Sequence, residues 1–278
     1  MLLRLEHVQK TYDTFALDVS IQIEEGKISG LIGANGAGKS TTIKAILGLI
    51  QTDSGTIERF GKQGKMISVS EKQKIGTVLS ENTFSMMLNV TQIANILNNV
   101  YPHFEKEIFL RKCEAYKLPL TQELKEFSTG MKAKLKLLSA LCHNASLLLL
   151  DEPTVGLDAI TRNELLNELR AYMKDDKGIL ISSHISSDLE GLCDDLYFMK
   201  DGKIVLHEDT DLLLSSYGIL KVSKEQYRNL DRKYILAEQQ DVYSTILLTN
   251  ERQFYLDNYR DIVVEKSSID DVMLLLLK

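Results

Sequence analysis

The chain has 278 residues and a formal net charge of −6, from 33 basic against 39 acidic side chains. That length can bury a full core, most naturally as one large unit with a smaller one attached. The acidic balance argues against nucleic acid or a polybasic membrane surface as a partner. No apolar run approaches the roughly 20 residues of a membrane helix, and Met1–Glu6 has no signal-peptide plan. Cys113, Cys142 and Cys193 have neither metal nor disulfide spacing and read as buried thiols in a reducing compartment.

In chain order, residues 2–8 and 17–23 alternate apolar and polar side chains (Leu17, Val19, Ile21, Ile23) and predict half-buried strands. Between them, Tyr12 is expected in a polar loop. Glu24–Lys27 is a turn into an apolar strand, Ile28–Ile32, which runs directly into Gly-Ala-Asn-Gly-Ala-Gly-Lys-Ser-Thr-Thr, residues 33–42. Gly33, Gly38, Lys39 and Ser40 satisfy Gly-x-x-x-x-Gly-Lys-Ser/Thr, and a helical run over 41–49 follows. The chemistry needs those residues at that spacing. Glycines let backbone N–H groups wrap a polyphosphate, and the helix start adds partial positive charge. Lys39 can reach the β/γ-phosphates, and the Ser40 hydroxyl can ligate Mg²⁺.

Short strands are expected at 56–60 and 75–79. Glycine then vanishes between Gly76 and Gly130 and helical periodicity takes over (Ile93, Ile96, Leu97, Val100; Leu135, Leu138, Leu141), which predicts a helical insertion over about 84–146. Within it, Phe127-Ser128-Thr129-Gly130-Met131 reads either as a simple N-cap or as a helix start that presents Ser128 and the Gly130 amide to an anion.

Leu147–Leu150 is a fully buried strand ending in Asp151-Glu152-Pro153. Beside a phosphate loop, such a pair suits phosphoryl transfer: Asp151 for the metal through its water shell, Glu152 to polarise the attacking water. Gly156-Leu157-Asp158 turns into an amphipathic helix over 160–174, and a strand at 178–182 leads to His184. His184 is either a hydrogen-bonded loop residue or a donor to developing charge on the γ-phosphate. Asp201-Gly202 predicts a tight hairpin between 194–200 and 203–207. From about Asp209, strand-like runs (219–222, 234–238, 243–249, 261–265) alternate with helical ones (224–230, 251–259, 268–277), the last opened by a Ser268/Asp271 capping pair. Alternating strands and helices of these lengths imply a largely parallel sheet covered on both faces.

Loop aromatic, phosphate loop, serine–glycine helix start, carboxylate strand, Gly-Leu-Asp turn and histidine follow one another in the order seen in ATP-binding-cassette ATPases. Over Leu2 to His207 the chain resembles the nucleotide-binding subunits of bacterial exporters. The resemblance implies an α/β P-loop NTPase cassette over 1–208: a mostly parallel central sheet, an antiparallel β subdomain and the inserted helical subdomain. A small C-terminal α/β appendage would occupy 209–278. It implies that Tyr12 stacks on adenine and that Gly33, Asn35, Gly36, Ala37, Gly38, Lys39, Ser40 and Thr41 hold ATP phosphates and Mg²⁺. Ser128 and Gly130 would contact the γ-phosphate of ATP held by a second subunit, Asp158 would lie across the dimer interface, and His184 would be the switch histidine. The helical subdomain would dock on a separate transmembrane permease at the cytoplasmic face of the membrane, in a dimer expected to be a homodimer. The appendage is similar to those of Gram-positive exporter ATPases for small molecules or peptides, phenol-soluble-modulin-type peptide exporters among them.

Two departures stand out. Thr129 and Met131 replace the first glycine and the glutamine of the family's Leu-Ser-Gly-Gly-Gln. Ser80-Glu81-Asn82 stands where the family places a Mg²⁺-contacting glutamine, and Glu81 is a candidate ligand for the metal or its water. Beside ATP-driven export stand two other readings: a soluble cassette acting in translation or on DNA, and a non-hydrolysing nucleotide sensor.

Overall fold

The structure, a computed structural model, describes residues 1–64, 66–80, 84–241 and 244–277. Its elements run β1 (Leu3–Tyr12), β2 (Phe15–Ile23), β3 (Ile28–Ile32), α1 (Lys39–Ile46), β4 (Ser54–Arg59), β5 (Lys62–Gln63), α2 (Val69–Lys72), β6 (Ile75–Val78), α3 (Val90–Val100), α4 (Lys106–Ala115), α5 (Thr129–Leu141) and β7 (Leu147–Asp151). They continue as α6 (Ala159–Tyr172), β8 (Gly178–Ser183), α7 (Ser186–Glu190), β9 (Asp195–Lys200), β10 (Lys203–Asp209), α8 (Thr210–Ser216), β11 (Gly218–Val222), α9 (Lys224–Asn229), β12 (Ile235–Gln240), β13 (Thr245–Thr249), α10 (Arg252–Asn258), β14 (Val263–Lys266) and α11 (Ile269–Leu277).

A ten-stranded sheet has the order β5-β4-β1-β2-β10-β9-β3-β8-β7-β6. Its half from β9 to β6 is parallel, and β3, β7 and β8 are buried at every position. Strands covered on both faces read as continuous apolar runs, and Leu147–Leu150 is one. Successive side chains go to opposite layers. Leu148 and Leu150 face α6, through Leu165, Leu166 and Leu169, whereas Leu147 and Leu149 face α1, through Ile43 and Ile46. The other half, β5-β4-β1-β2, is antiparallel and joins the parallel part through the Lys203↔Asp18 pairing of β10 with β2.

The predicted helical stretch forms its own apolar cluster, with Val90, Ile93, Leu97, Phe109, Leu135 and Leu138. Helix α5 serves two cores, since Leu137, Ala140 and Leu141 on its other side pack against the sheet. The C-terminal strands form a second sheet, β12-β13-β11-β14, antiparallel throughout.

One local expectation changes and another holds. Tyr12 is not in a loop. β1 continues to Tyr12, which pairs with Phe15 across a tight two-residue turn at Asp13-Thr14; a bulge between Leu5 and Val8 (His7 at φ 44°) shifts the register lower in the same pair. The hairpin at Asp201-Gly202 forms as expected, with φ of 46° and 79°. A Cβ on Gly202 would meet the Ala16 carbonyl oxygen at 1.9 Å, so only glycine fits. The Gly202 amide donates to the Ala37 carbonyl at 2.9 Å, which props the phosphate loop from behind.

Candidate nucleotide site

The loop between β3 and α1 bends through Gly36 (φ 83°) and Gly38 (φ 114°). Gly33 passes so close to β9 that a Cβ would sit 2.5 Å from the Met199 carbonyl oxygen, whereas a Cβ at Gly36 would meet open space. Gly38 precedes α1 with no side-chain cap, so the first-turn N–H groups have no intrahelical acceptor. That is the donor arrangement a polyphosphate needs.

Lys39 is 5% exposed, and its Nζ donates to the carbonyls of Gly33 (2.8 Å) and Ala34 (3.2 Å). The same Nζ lies 3.0 Å from Glu152 Oε1. The other oxygen of Glu152 is 2.7 Å from His184 Nδ1. One carboxylate thus bridges the loop lysine and the histidine after β8. Glu152 holds φ 52°, a left-handed conformation that costs a non-glycine residue of order 1 kcal/mol. It is kept there by its amide, which donates to Ser182 Oγ at 3.1 Å.

Asp151, buried at the end of β7, accepts from Ser40 Oγ (3.0 Å) and Ser182 Oγ (2.8 Å) on one oxygen and from Ser80 Oγ (3.3 Å) on the other. The parallel register Asp151↔Ser182 brings this about. Hydroxyl donors on both oxygens hold the carboxylate aimed at Ser40. A hydroxyl beside one carboxylate suits Mg²⁺, which keeps several waters and takes its remaining ligands from substrate phosphates.

These groups line a cleft of about 860 Å³ that takes in Tyr12, Asn35, Gly36, Gly38, Lys39, Ser40, Thr41, Asp151, Glu152 and His184. Gly33 and Ala37 shape the loop from behind. At the mouth, Tyr12 is exposed, 6.3 Å from the Phe15 ring, with Lys10 Nζ 5.6 Å from its own ring centre. Such a face can stack on a nucleobase. Glu81 lies outside the described residues.

Among the described residues, Ser128, Gly130 and Asp158 do not line this cleft. Ser128 caps α5, its Oγ accepting from the Met131 amide at 3.2 Å. Asp158 caps α6, accepting from the amides of Ile160 and Thr161 and from the Thr161 hydroxyl. The Thr161 backbone and side-chain hydrogen bonds hold the Asp158 carboxyl below its ordinary pKa. A Cβ on Gly130 would lie 3.5 Å from Thr161, so the two helix starts are neighbours.

Sequence reasoning missed Ser80, Ser182, Lys132 and Lys136. Lys132 and Lys136 line the cleft one turn apart on α5, and Lys136 Nζ donates to the Leu79 carbonyl at 3.3 Å. Burial and the neighbouring Lys132 hold Lys136 below its usual pKa. The i,i+4 spacing was readable; which way that face points was not.

Residues 16–155 match the family model described as ABC transporter. The chain is 34% identical over 235 residues to the ABC transporter ATP-binding protein YtrB of Bacillus subtilis, covering 83% of this chain and 80% of that protein. It is 34% identical to the lantibiotic transport ATP-binding protein SrtF of Streptococcus pyogenes (76% and 92% covered). Against the bacitracin transport ATP-binding protein BcrA of Bacillus licheniformis the identity is 32% (87% and 75% covered). A solved ATP-binding subunit of an ABC transporter superposes with a TM-score of 0.68 at 27% identity, covering 77% of this chain and 92% of that one. A dimeric cassette in a post-hydrolysis state bound to ADP and Pi shares the fold at a TM-score of 0.66 and 20% identity, covering 75% and 99%. With a glycine loop, its lysine and a carboxylate pair converging on one cleft, this chain belongs to the ABC transporter family as an ATP-binding, ATP-hydrolysing subunit.

Proposed function

We propose that the chain works as one of two identical subunits that sandwich ATP and power export through a separate transmembrane permease, at the cytoplasmic face of the membrane. Residues 1–208 are the cassette in this reading and 209–278 an appendage. No described helix is long and apolar enough to cross a membrane, which is in keeping with a partner that supplies the spans. Relatives named for lantibiotic and bacitracin transport favour an amphiphilic peptide or peptide antibiotic as cargo.

The observation that carries the reading is the Lys39–Glu152–His184 constellation beside the open donors of α1. In it, the loop amides from Gly33 to Thr41 and Lys39 bind the phosphates, and Tyr12 stacks on adenine. Ser40 and Asp151 hold Mg²⁺, which when bound neutralises phosphate charge, with Glu81 the further candidate ligand. Glu152 accepts the proton of the attacking water, and His184 donates to charge that develops on the γ-phosphate. Ser128, Gly130 and Asp158 act across the interface on the partner's nucleotide. Their grouping at two adjoining helix starts on the rim of this chain's cleft, which Thr129 and Val155 line, with Ile160 exposed beside them, supports that role.

The test is Glu152→Gln. It keeps the shape and removes the base, so ATP turnover falls at least a hundredfold while ATP binding persists and the ATP-loaded protein elutes as a dimer. Normal turnover by this variant would refute the role of Glu152. A wild-type chain that binds ATP without turnover, even with its permease, would make the protein a sensor.

A further inference from the structure

Ser186 lies two residues beyond His184, at the first position of α7, and is 5% exposed. Its Oγ donates to Asp270 Oδ1 of α11 at 2.6 Å, across 84 residues of sequence. Helix α11 is not a loose tail. Asp271 closes its start by accepting from the Ser268 amide (2.9 Å) and hydroxyl (2.7 Å). Ile269 and Val272 are fully buried in the same core as Leu189 of α7 and Leu196 and Phe198 of β9. The C-terminal helix is therefore a wall behind the segment that carries His184.

Helix α7 is poorly suited to hold itself in place. It has five residues, and its N-cap, Ile185, offers no side-chain acceptor. Outside ties fix it instead: Arg170 of α6 donates to the Gly191 carbonyl at its C-terminal end (3.0 and 3.3 Å), and two more hold its first turn. Asp188 accepts from Thr154 Oγ1 at 2.5 Å and lies 3.5 Å from Arg162 Nε, which anchors it to the segment after Glu152. Ser186 anchors it to α11. The link from Ser186 to His184 is short and stiff, because Ser183 Oγ accepts from the Ile185 amide at 2.9 Å and closes the turn. A shift of Ser186 is thus transmitted to the ring that meets Glu152.

We propose that Asp270 is a positioning residue for hydrolysis: through Ser186 it sets where His184 stands, so the C-terminal appendage governs the rate of turnover and not nucleotide affinity. The proposal rests on His184 acting at the γ-phosphate. Any binding event that draws α11 away from α7 would slow hydrolysis with ATP still held.

The full-length chain, with its permease where turnover requires it, is compared as Asp270→Ala, Ser186→Ala, Asp270→Asn and His184→Ala. Small displacements of a positioned group cost up to a hundredfold in rate, so Asp270→Ala and Ser186→Ala are expected to lower kcat about fivefold. KM and ATP affinity by fluorescent-nucleotide titration should stay near wild type. Asp270→Asn keeps an acceptor oxygen and should retain most of the activity. In a His184→Ala background, Asp270→Ala should cause no further loss. Wild-type kcat in Asp270→Ala beside a crippled His184→Ala overturns the proposal, as does a full multiplicative loss in the double variant. Normal turnover in His184→Ala overturns instead the reading of His184 on which the proposal stands.

Discussion

Ser182 shows how one hydroxyl can support two carboxylates. It donates to Asp151 and accepts from the Glu152 amide, and it is fully buried. Ser182→Ala takes one of three hydroxyl donors from a buried carboxylate and leaves the strained Glu152 amide only the Ser182 carbonyl, at 3.2 Å, as acceptor. The expected cost is about 1–3 kcal/mol in unfolding free energy, read by denaturant titration. Turnover should fall at least tenfold, since both acidic groups lose their alignment. A variant with wild-type stability and rate would show that Asp151 and Glu152 are held by other contacts. This residue was not legible in the sequence, where Ser182 is merely the last residue of an apolar strand. Its meaning depends on β7 and β8 lying side by side in the register that pairs it with Asp151.

At the scale of elements, the junction between the helical layer and the sheet runs through His143, just beyond α5. Its ring stacks on Tyr101 beyond α3 with centroids 4.4 Å apart and planes nearly parallel, and Nε2 is buried without a partner among the described residues. Burial pushes its pKa down to about 4 from an ordinary 6.5, against the opposing pull of backbone hydrogen bonds with Ile75 and Ser139. The sign follows directly. Below pH 6.5 the unfolded chain takes up a proton that the folded one refuses until about pH 4. Stability is therefore fully present above that window and falls as pH drops through it, by on the order of 3 kcal/mol. Unfolding free energies measured across the window should show this slope in wild type and lose it in His143→Phe. An equal slope in both would place the titration elsewhere. The helices on either side of this junction were visible from their spacing of apolar residues. That α5 divides its faces between two cores was not, because periodicity marks an apolar face without saying what covers it.

For the molecule as a whole, the strands and helices after Asp209 do not form a detached body. Ile219, Leu248, Ile269 and Val272 share one continuous core with Ile179, Leu196 and Phe198 of the central sheet. Leu220, Val222, Leu247 and Tyr255 make a smaller cluster on the outer side. A shared core couples the parts, so heating should unfold the chain in one cooperative transition. Ile269→Ala should lower that transition as a unit, by about 2–4 kcal/mol. An early separate melting step in calorimetry would contradict it.

The phosphate loop with its flanking strand and helix, the buried carboxylate strand, the Asp201-Gly202 hairpin and the run of elements after Asp209 are all legible in the chain of residues. Each is written in local rules: glycine positions, turn chemistry and the period of apolar residues within a few turns of chain. Tertiary structure alone decided that Glu152 bridges Lys39 and His184, that three serines surround Asp151, and that the last helix braces the histidine segment. Those meetings depend on strand order and register across 30 to more than 100 residues. No local pattern encodes which buried surfaces will face each other.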